Sequence, residues 1–351
     1  MPDVADSIWI AGPAGARRLL FWQDGAVAEI WHEVAAGKIG TIHNVRITRI
    51  FANQGRATAQ LGNGTPLSIR TGKRDRLSSG QLARITIVAA PRDGKAWQAI
   101  IGARLVSPYF VFLPDDNGLF TSKSLAVDPS ADTRAALTQQ LEQHGGGAIM
   151  RRQAAGVDLA VLAADLMALS ELWQSGLQHN ADHDDTGLLH DAGGLRALAS
   201  RHAPDVAIVD TEFNMDADEF ATAYDDAIDN ARNRAVYLPG GGVIWIERTH
   251  ALTAIDLDSG TGTLATLMLD APAVIAHQLR LRALTGLVAI DVPRASPAVA
   301  RRFTADLETC FARDPRMPEI LGRSRGGLLE CRIAHGQPSL IDWLDQEQDA
   351  S

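Results

Sequence analysis

Two stretches of the sequence decide the fold of its C-terminal part: LTAID at residues 252–256 and LVAID at residues 287–291. Both are apolar enough to be buried strands, and both end in an aspartate. Between them, the stretch 270–284 repeats its apolar residues at helical spacing. A helix lies between the two strands, so a right-handed crossover can place them parallel. We therefore expect Asp256 and Asp291 at the same carboxyl edge of one sheet.

This pair of aspartates is a candidate metal site. Neighbouring strands lie about 4.8 Å apart, and ligands of open α/β sheets usually bind at the carboxyl edge. Asp258 follows by two positions and could reach the same ion. Mg²⁺, with Mn²⁺ as an alternative, suits such a site because it takes oxygen ligands and needs only one or two protein carboxylates besides substrate phosphate. Each aspartate could instead simply form the turn that ends its strand, and spacing alone leaves both interpretations open.

The sequence around this pair continues the strand and helix pattern. VIWIER (243–248) is a strand, and a helix is predicted to begin with Asp270 as its cap and Pro272 near its first turn. A second helix covers 296–313, and GGLLECRI (326–333) is a final strand. This alternation is typical of an α/β protein with a parallel or mixed sheet.

The N-terminal half has a different pattern. The dipeptide Asp24-Gly25 between two short apolar runs predicts a β-hairpin. Four or five short strands with polar turns follow between residues 38 and 92, and such a run predicts a small barrel, with an OB-fold as the leading candidate. Helices are expected after that, at 132–144 with Asp132 as the N-cap, at 156–177, and at 215–231, where the helix is acidic.

The charge of the chain is distributed unevenly. The net charge is −9, but the stretch from Lys38 to Lys95 contains eleven Lys and Arg against two Asp, a local balance of +9. A basic module within an acidic chain is typical of nucleic-acid binding. The same stretch could also be a solvated basic face without a ligand, and charge alone does not separate the two.

Composition excludes several classes of protein. No apolar run reaches the roughly 18 residues of a membrane span, and the first residues carry acids where a secretory signal has basic ones. The two cysteines, Cys310 and Cys331, form neither a disulfide framework nor a CxxC metal pair. We expect a cytoplasmic protein without a membrane partner.

The C-terminal half resembles the ribonuclease E/G family. Three stretches carry the resemblance in the family's order: 238–260 (LPGGGVIWIERTHALTAIDLDSG), 275–291 (IAHQLRLRALTGLVAID) and 326–340 (GGLLECRIAHGQPSL). Weaker, collinear similarity continues upstream through YFVFLP (109–114) and GGAIMRR (146–152). The likeness therefore spans nearly the whole chain.

The resemblance implies a Mg²⁺-dependent endoribonuclease that cleaves single-stranded RNA and leaves a 5′-phosphate, in RNA processing or decay. It also implies a multidomain α/β (α+β) fold, in which an RNase H-like domain is interrupted by an OB-fold and a 5′-sensor region and is followed by a DNase I-like catalytic domain. The corresponding segments are 1–35 (RNase H-like, first part), 36–92 (OB-fold), 93–202 (sensor), 203–235 (RNase H-like, second part) and 236–351 (catalytic).

The resemblance also implies roles for individual residues. Asp256 and Asp291 match the metal-binding aspartates, and Asp258 stands where the family has a supporting asparagine. Arg151 matches the arginine of the pocket that accepts a 5′-monophosphate, and Arg152 replaces a threonine there; guanidinium groups suit this task because they bind phosphate bidentately. The remaining expected RNA contacts are basic: Arg46, Arg49, Lys73, Arg74, Arg76 and Arg332.

Several family features are missing from this sequence. The zinc-binding CPxC motif that links protomers is absent, so we expect no zinc, and any homodimer would form without a zinc link. VPRAS follows Asp291 where the family has another aspartate, and the basic triplet after GLLE is diluted. Thr58 stands where the family has a base-stacking aromatic residue, and Trp97, the candidate replacement, is more typical of a core residue.

Three functional hypotheses follow. The first is an active, compact, Mg²⁺-dependent endoribonuclease that depends on Asp256 and Asp291. The second is a catalytically degenerate relative that binds RNA without cutting it, a hypothesis based on the missing family features. The third is a protein scaffold that uses the acidic helix 215–231, and only charge supports it.

Overall fold

The fold is described from a computed structural model of the chain, which covers residues 6–33, 38–72, 75–91, 95–123, 125, 127–177, 185–210, 217–336 and 338–349. The chain divides into two compact units. The first combines residues 1–35 with residues 206–351, and the second comprises residues 36–205.

The described elements are numbered in chain order. The strands are β1 (Ser7–Ala11), β2 (Arg18–Gln23), β3 (Ala26–His32), β4 (Ile42–Arg46), β5 (Arg49–Phe51), β6 (Arg56–Gln60), β7 (Pro66–Arg70), β8 (Leu82–Ala89), β9 (Trp97–Ile101), β10 (Leu105–Val106), β11 (Phe110–Leu113), β12 (Gly118–Thr121), β13 (Gly147–Met150), β14 (Gly187–His190), β15 (Ala207–Asp210), β16 (Ala235–Tyr237), β17 (Val243–Arg248), β18 (Leu252–Asp258), β19 (Gly286–Asp291), β20 (Glu319–Arg323) and β21 (Leu329–Ile333). The helices are α1 (Ala131–His144), α2 (Leu159–Leu177), α3 (Gly194–His202), α4 (Ala217–Arg232), α5 (Leu264–Leu281), α6 (Pro297–Phe311) and α7 (Leu340–Asp349). None of them is long and apolar enough to cross a membrane, as far as the described residues go.

The largest sheet of the first unit contains the two strands that decide the fold. Its order is β16-β17-β18-β19-β21-β20, and β18 and β19 are parallel, as the crossover rule predicts. Helices α5 and α6 pack against each other and against one face of the sheet. The core between them includes Ile255, Leu279 and Phe303, each at most 2% exposed. The mixed α/β class predicted for this region is confirmed.

Helix α5 begins earlier than the sequence predicts. Its N-cap is Thr263, whose side chain accepts a hydrogen bond from the backbone N–H of Thr266, and the two residues form a capping box. Asp270 and Pro272, expected at the start, therefore lie inside the helix. Proline at an N-terminal position is a good start signal, but here the upstream cap and the burial of Leu267 extend the helix by two turns.

The second sheet of this unit has the order β15-β1-β2-β3. Strands β1, β2 and β3 form an antiparallel meander, and β15 pairs parallel with β1. Asp24 and Gly25 both have positive φ, 52° and 76°, which confirms the predicted hairpin turn. The acidic helix α4 packs its apolar residues, Phe220 and Tyr224 among them, into the same core as this sheet.

The second unit contains a seven-stranded sheet of order β14-β4-β8-β9-β7-β6-β5. Only two residues separate strands β4 and β5 in the chain. Nevertheless, β4 pairs with β8 near one end of the sheet, and β5 pairs with β6 at the other end. The sheet extends past residue 92, where the sequence prediction ended this segment, because β9 and β14 belong to it. Short apolar strands such as WQAII carry no local signal of the sheet they join.

The remaining sheet of the second unit has the order β10-β11-β13-β12. Helices α1 and α2 pack on it around Phe110, Phe112 and Leu137. The N-cap of α1 is Ser130, whose side chain accepts a hydrogen bond from the N–H of Thr133. The predicted cap, Asp132, lies instead in the first turn of α1, where its negative charge interacts favourably with the positive end of the helix dipole.

Candidate nuclease site and RNA-binding surface

The aspartates of the two decisive strands are direct neighbours across the sheet. Asp256 of β18 and Asp291 of β19 are register partners, so their strands place them about 4.8 Å apart. Both side chains are exposed, while Ile255 and Ile290, which precede them, are buried on the opposite face. Within the described residues, neither carboxylate accepts a hydrogen bond or forms an ion pair, and both are therefore free to bind a ligand.

Asp258 lies on the same exposed face, two residues further along β18, and already has a structural contact. Its Oδ1 accepts a hydrogen bond from the backbone N–H of Gly260 at 2.9 Å. This bond closes the turn that leads into α5. Asp258 is thus a neighbour of the pair with one oxygen engaged.

The glycines of the neighbouring loops allow two backbone segments to touch beside Asp258. A Cβ atom on Gly260 would lie 2.5 Å from the carbonyl oxygen of Gly241, and one on Gly262 would clash with the carbonyl oxygen of Gly240. Gly241 and Gly260 also have positive φ, 86° and 53°. The PGGG and SGTG sequences therefore fix the loops that border the exposed aspartates.

The residues present fit a divalent ion of the Mg²⁺ type. Two adjacent, exposed carboxylates supply hard oxygen ligands, and Mg²⁺ needs only one or two of these because it keeps water or substrate phosphate as its other ligands. No group of three or more His, Cys, Asp or Glu suited to a metal occurs among the described residues. A dedicated cage, as zinc usually requires, is therefore not formed by this part of the chain.

The basic sheet of the second unit presents arginines on its outer surface. Arg56 and Arg70 are register partners on β6 and β7 and are both exposed. Arg56 donates from Nη1 to Ser68 Oγ at 2.8 Å and to Gln98 Oε1 at 2.9 Å. The guanidinium of Arg49 lies 4.9 Å from the ring centre of Phe51. Along β6 and β7, polar and basic side chains on this surface therefore alternate with buried side chains on the other face.

The sequence is similar to known ribonucleases. The sequence model of the Ribonuclease E/G family matches residues 195–332. Ribonuclease G of Escherichia coli (strain K12) is 25% identical over an alignment that covers 76% of this chain and 62% of the relative. Ribonuclease G of Haemophilus influenzae is 22% identical, with 94% of this chain and 79% of the relative covered. Ribonuclease E of the same organism is 27% identical, with 76% and 33% covered.

Residues 195–332 thus match the Ribonuclease E/G family, and the chain is similar to ribonucleases G and E over most of its length.

The family match covers both decisive strands. It runs from α3 into β21 and includes Asp256 and Asp291 with the whole of strands β17, β18 and β19. The chain spans about 62% of the length of the first of these curated relatives.

The residues predicted to contact RNA lie in different parts of the structure. Arg46 and Arg76 are exposed, and Arg46 donates from Nη1 to the carbonyl of Gly80 at 2.8 Å. Lys73 and Arg74 lie outside the described residues. Arg332 belongs to the six-stranded sheet of the first unit, where its Nη2 pairs with Glu319 at 2.7 Å.

Arg151, predicted as the phosphate-sensing residue, is held by backbone carbonyls. Its Nη1 donates to the carbonyls of Ser107, Pro108 and Arg201. Burial, and then the nearby charge of Arg201, lowers its pKa. Arg152 follows in a short 3₁₀ turn. One nitrogen of Arg151 is therefore occupied by the fold, and its sensor role stays a prediction.

Sequence reasoning missed some residues and placed others correctly. Trp97 was expected in the core rather than as a stacking residue, and this is confirmed because it is 7% exposed. Arg56, Arg70 and Phe51 were not singled out, although the period-two alternation of β6 and β7 could have assigned the two arginines to one face. Trp245, the register partner of Asp256, was also missed, although the three residues between β17 and β18 are short enough for a hairpin.

Proposed function

We propose that the chain is an endoribonuclease that uses Mg²⁺ to cleave single-stranded RNA, leaving a 5′-phosphate on the downstream product, in RNA processing or decay. One observation carries the proposal. Asp256 and Asp291 are register partners on an exposed sheet face, with free carboxylates, inside the segment that matches the Ribonuclease E/G family. The names of the relatives support an RNA substrate.

In this mechanism the chain supplies the metal ligands and the position of the substrate. Asp256 and Asp291 would hold Mg²⁺, with Mn²⁺ as an alternative. When bound, the ion supplies a Lewis acid for the phosphodiester and lowers the pKa of an attacking water. Asp258 keeps the adjoining turn closed through Gly260. Water attacks the phosphorus and the bond to the 3′ oxygen breaks, which leaves the phosphate on the 5′ end of the downstream product.

RNA affinity is assigned to the basic surface of the second unit. The pairing order of its sheet, in which successive strands β4 and β5 pair with β8 and β6, is compatible with an OB-fold. Its arginines would neutralise phosphates, and Phe51 offers an aromatic ring beside them. We assign Arg46, Arg49, Arg56, Arg70 and Arg76 to this role.

The finer domain assignments and the sensor are part of the same proposal. The meander β1-β2-β3 with a parallel fourth strand supports an RNase H-like domain, and the six-stranded sheet with α5 and α6 supports a DNase I-like one. Arg151 and Arg152 would recognise a 5′-monophosphate. A cytoplasmic location, a homodimer without zinc and the absence of a membrane partner complete the proposal.

The test is a cleavage time course on a 5′-monophosphorylated, A/U-rich single-stranded RNA, followed on a denaturing gel. Wild type is expected to make internal cuts with Mg²⁺ and none with EDTA. Asp256→Asn and Asp291→Asn are each expected to lower the rate by at least 100-fold, an order of magnitude typical for the loss of a central electrostatic group. The matched control is Glu247→Gln, which changes a carboxylate on the same sheet face to an amide and is expected to cleave like wild type. Cleavage that persists in both aspartate variants would overturn the proposal.

A second candidate function is RNA binding without cleavage. The observations that favour it are the ion pair between Arg332 and Glu319 and the turn contact of Asp258, because both groups are engaged within the protein. In that case the same gel would contain only intact RNA in every lane. A mobility shift of the RNA, lost at high salt, would persist in the aspartate variants.

A further inference from the structure

The six-stranded sheet of the first unit carries two large aromatic side chains beside the aspartates, on its exposed face. Trp245 of β17 is the direct partner of Asp256, and Asp256 is the partner of Asp291, so the three residues form one row across the sheet. In the next row, Tyr237 of β16 is opposite Val243, which is itself opposite Asp258. Both aromatic residues therefore lie on the same face as the proposed metal pair.

These two rings are unusually exposed for their type. Trp245 is 43% exposed and Tyr237 is 77% exposed, whereas Trp9, Trp31 and Trp97 are each at most 7% exposed. Neither ring contacts another aromatic ring among the residues that the structure describes. Large aromatic side chains that remain exposed leave apolar area in water, which is a cost unless a ligand covers it.

The charge of this face indicates how RNA could be held there. Asp256, Asp258 and Asp291 are joined by Glu330, which is the register partner of Ala289 one row away. The neighbouring cation Arg332 is paired with Glu319. Four carboxylates therefore lie on this face around the metal pair, and without a divalent ion they repel phosphates. An attraction for RNA that does not depend on positive charge must come from the bases.

We propose that Trp245 and Tyr237 form a stacking platform for nucleobases of the RNA, next to the metal pair. The proposal deepens the proposed nuclease function and rests on it. Side chains directly opposite on paired strands have Cβ atoms about 4.5–5.5 Å apart, and diagonal neighbours about 7–8 Å. A base on Trp245 thus lies beside Asp256, and Tyr237 can take a neighbouring base.

The platform has two consequences for the substrate. Stacking tolerates every base, because each base has a π face, so the site needs no particular sequence. It requires bases that are free of a duplex, which selects single-stranded RNA. Trp245 acts as a positioning residue: it holds the nucleotide that carries the scissile phosphodiester beside the metal pair.

The first experiment measures stacking without cleavage. A short single-stranded RNA containing 2-aminopurine is titrated with the full chain in Ca²⁺, and quenching of the 2-aminopurine reports stacking on an aromatic ring. Wild type and Trp245→Phe are expected to quench, and Trp245→Leu and Tyr237→Leu are expected to quench much less. Leu287→Ala is the matched control, because Leu287 is an aliphatic side chain exposed on the same face. Thermal unfolding of each variant identifies any that fails to fold. If Trp245→Leu fails, Tyr237→Leu decides the test, because Tyr237 is 77% exposed and its replacement removes no core contact.

The second experiment measures cleavage in Mg²⁺. Loss of one stacked base is expected to lower kcat/KM by roughly five- to 150-fold in Trp245→Leu, with Trp245→Phe close to wild type and Leu287→Ala unchanged. Equal quenching and equal kcat/KM in wild type and Trp245→Leu would overturn the platform while leaving the nuclease intact. If wild type does not cleave, the nuclease proposal fails, and the quenching experiment still decides whether the platform exists.

Discussion

Strand register determines that the carboxylates of Asp256 and Asp291 are exposed next to each other. Side chains alternate between the two faces of a sheet, so Ile255 and Leu257 are buried on either side of the exposed Asp256. A shift of one residue would bury the carboxylate among apolar side chains, at a cost of several kcal/mol. The buried isoleucines therefore fix the register, and the register presents the two carboxylates together.

Asp258 is expected to tolerate conversion to asparagine. The asparagine Oδ1 can accept the same hydrogen bond from the N–H of Gly260, so Asp258→Asn should change the cleavage rate by less than about threefold and leave Tm unchanged. Asp258→Leu removes the acceptor and should destabilise the turn by about 0.5–1.5 kcal/mol. Chemical denaturation and the gel assay measure both effects, and a 100-fold rate loss in Asp258→Asn would instead make its charge essential.

A buried ion pair joins two elements of the first unit. Nε of Arg280, on α5, donates to Glu29 Oε1 of β3 at 2.5 Å, and the two side chains are 9% and 1% exposed. Arg280 also donates from Nη1 to Gln23 at 2.7 Å, and Trp31 donates to the second oxygen of Glu29 at 2.9 Å. Every charged oxygen of the pair is therefore satisfied, and this is the condition under which burial of an ion pair is tolerated.

Breaking this pair from one side is expected to be costly. Arg280→Met leaves the Glu29 carboxylate buried without its cation and should lower the free energy of unfolding by about 3–5 kcal/mol. Changing both partners, in Arg280→Met with Glu29→Leu, removes the stranded charge and should recover part of that loss. Urea denaturation of the wild type, Arg280→Met and the double variant measures this. A double variant no more stable than Arg280→Met would contradict the account.

One buried histidine and three half-buried ones contribute to the acid stability of the chain. Burial lowers the pKa of His32 to about 3 and that of His43 to about 4. The pKa values of His190 and His277 are lowered by burial too. The first unit contains two of these histidines and the second unit the other two. Each unit therefore contains histidines whose protonation at low pH favours unfolding.

Stability is expected to fall as the pH drops below about 6.5. Between the unfolded pKa near 6.5 and the folded values of 3 to 4, the unfolded chain binds protons that the folded chain does not, so stability is complete above this window and is lost within it. One such histidine contributes a slope of up to about 1.4 kcal/mol per pH unit. His32→Phe keeps a ring on Trp343, on which His32 stacks at 3.8 Å, and should reduce the slope measured by denaturation between pH 7 and 5. His250→Gln changes an exposed histidine and serves as the control; an unchanged slope in His32→Phe would contradict the assignment.

Local signals in the sequence were sufficient for several elements. Asp24-Gly25 specified its hairpin because positive φ at both positions is what a two-residue turn requires. The helix 156–177 was predicted from its apolar spacing and lies at Leu159–Leu177. The starts of α1 and α5 were wrong, because each helix is capped by another residue that can accept the hydrogen bond, Ser130 or Thr263.

The sequence by itself determined the composition of the site: two strands with the same ending, joined by a crossover helix, run parallel and so put Asp256 and Asp291 at one edge. Pairing between strands that lie far apart in the chain was decided only by the tertiary structure. That pairing sets β15 beside β1 and β21 beside β19. The physical reason is that side-chain alternation along a strand fixes which face a residue occupies, whereas its cross-strand neighbour depends on a register that the whole core stabilises.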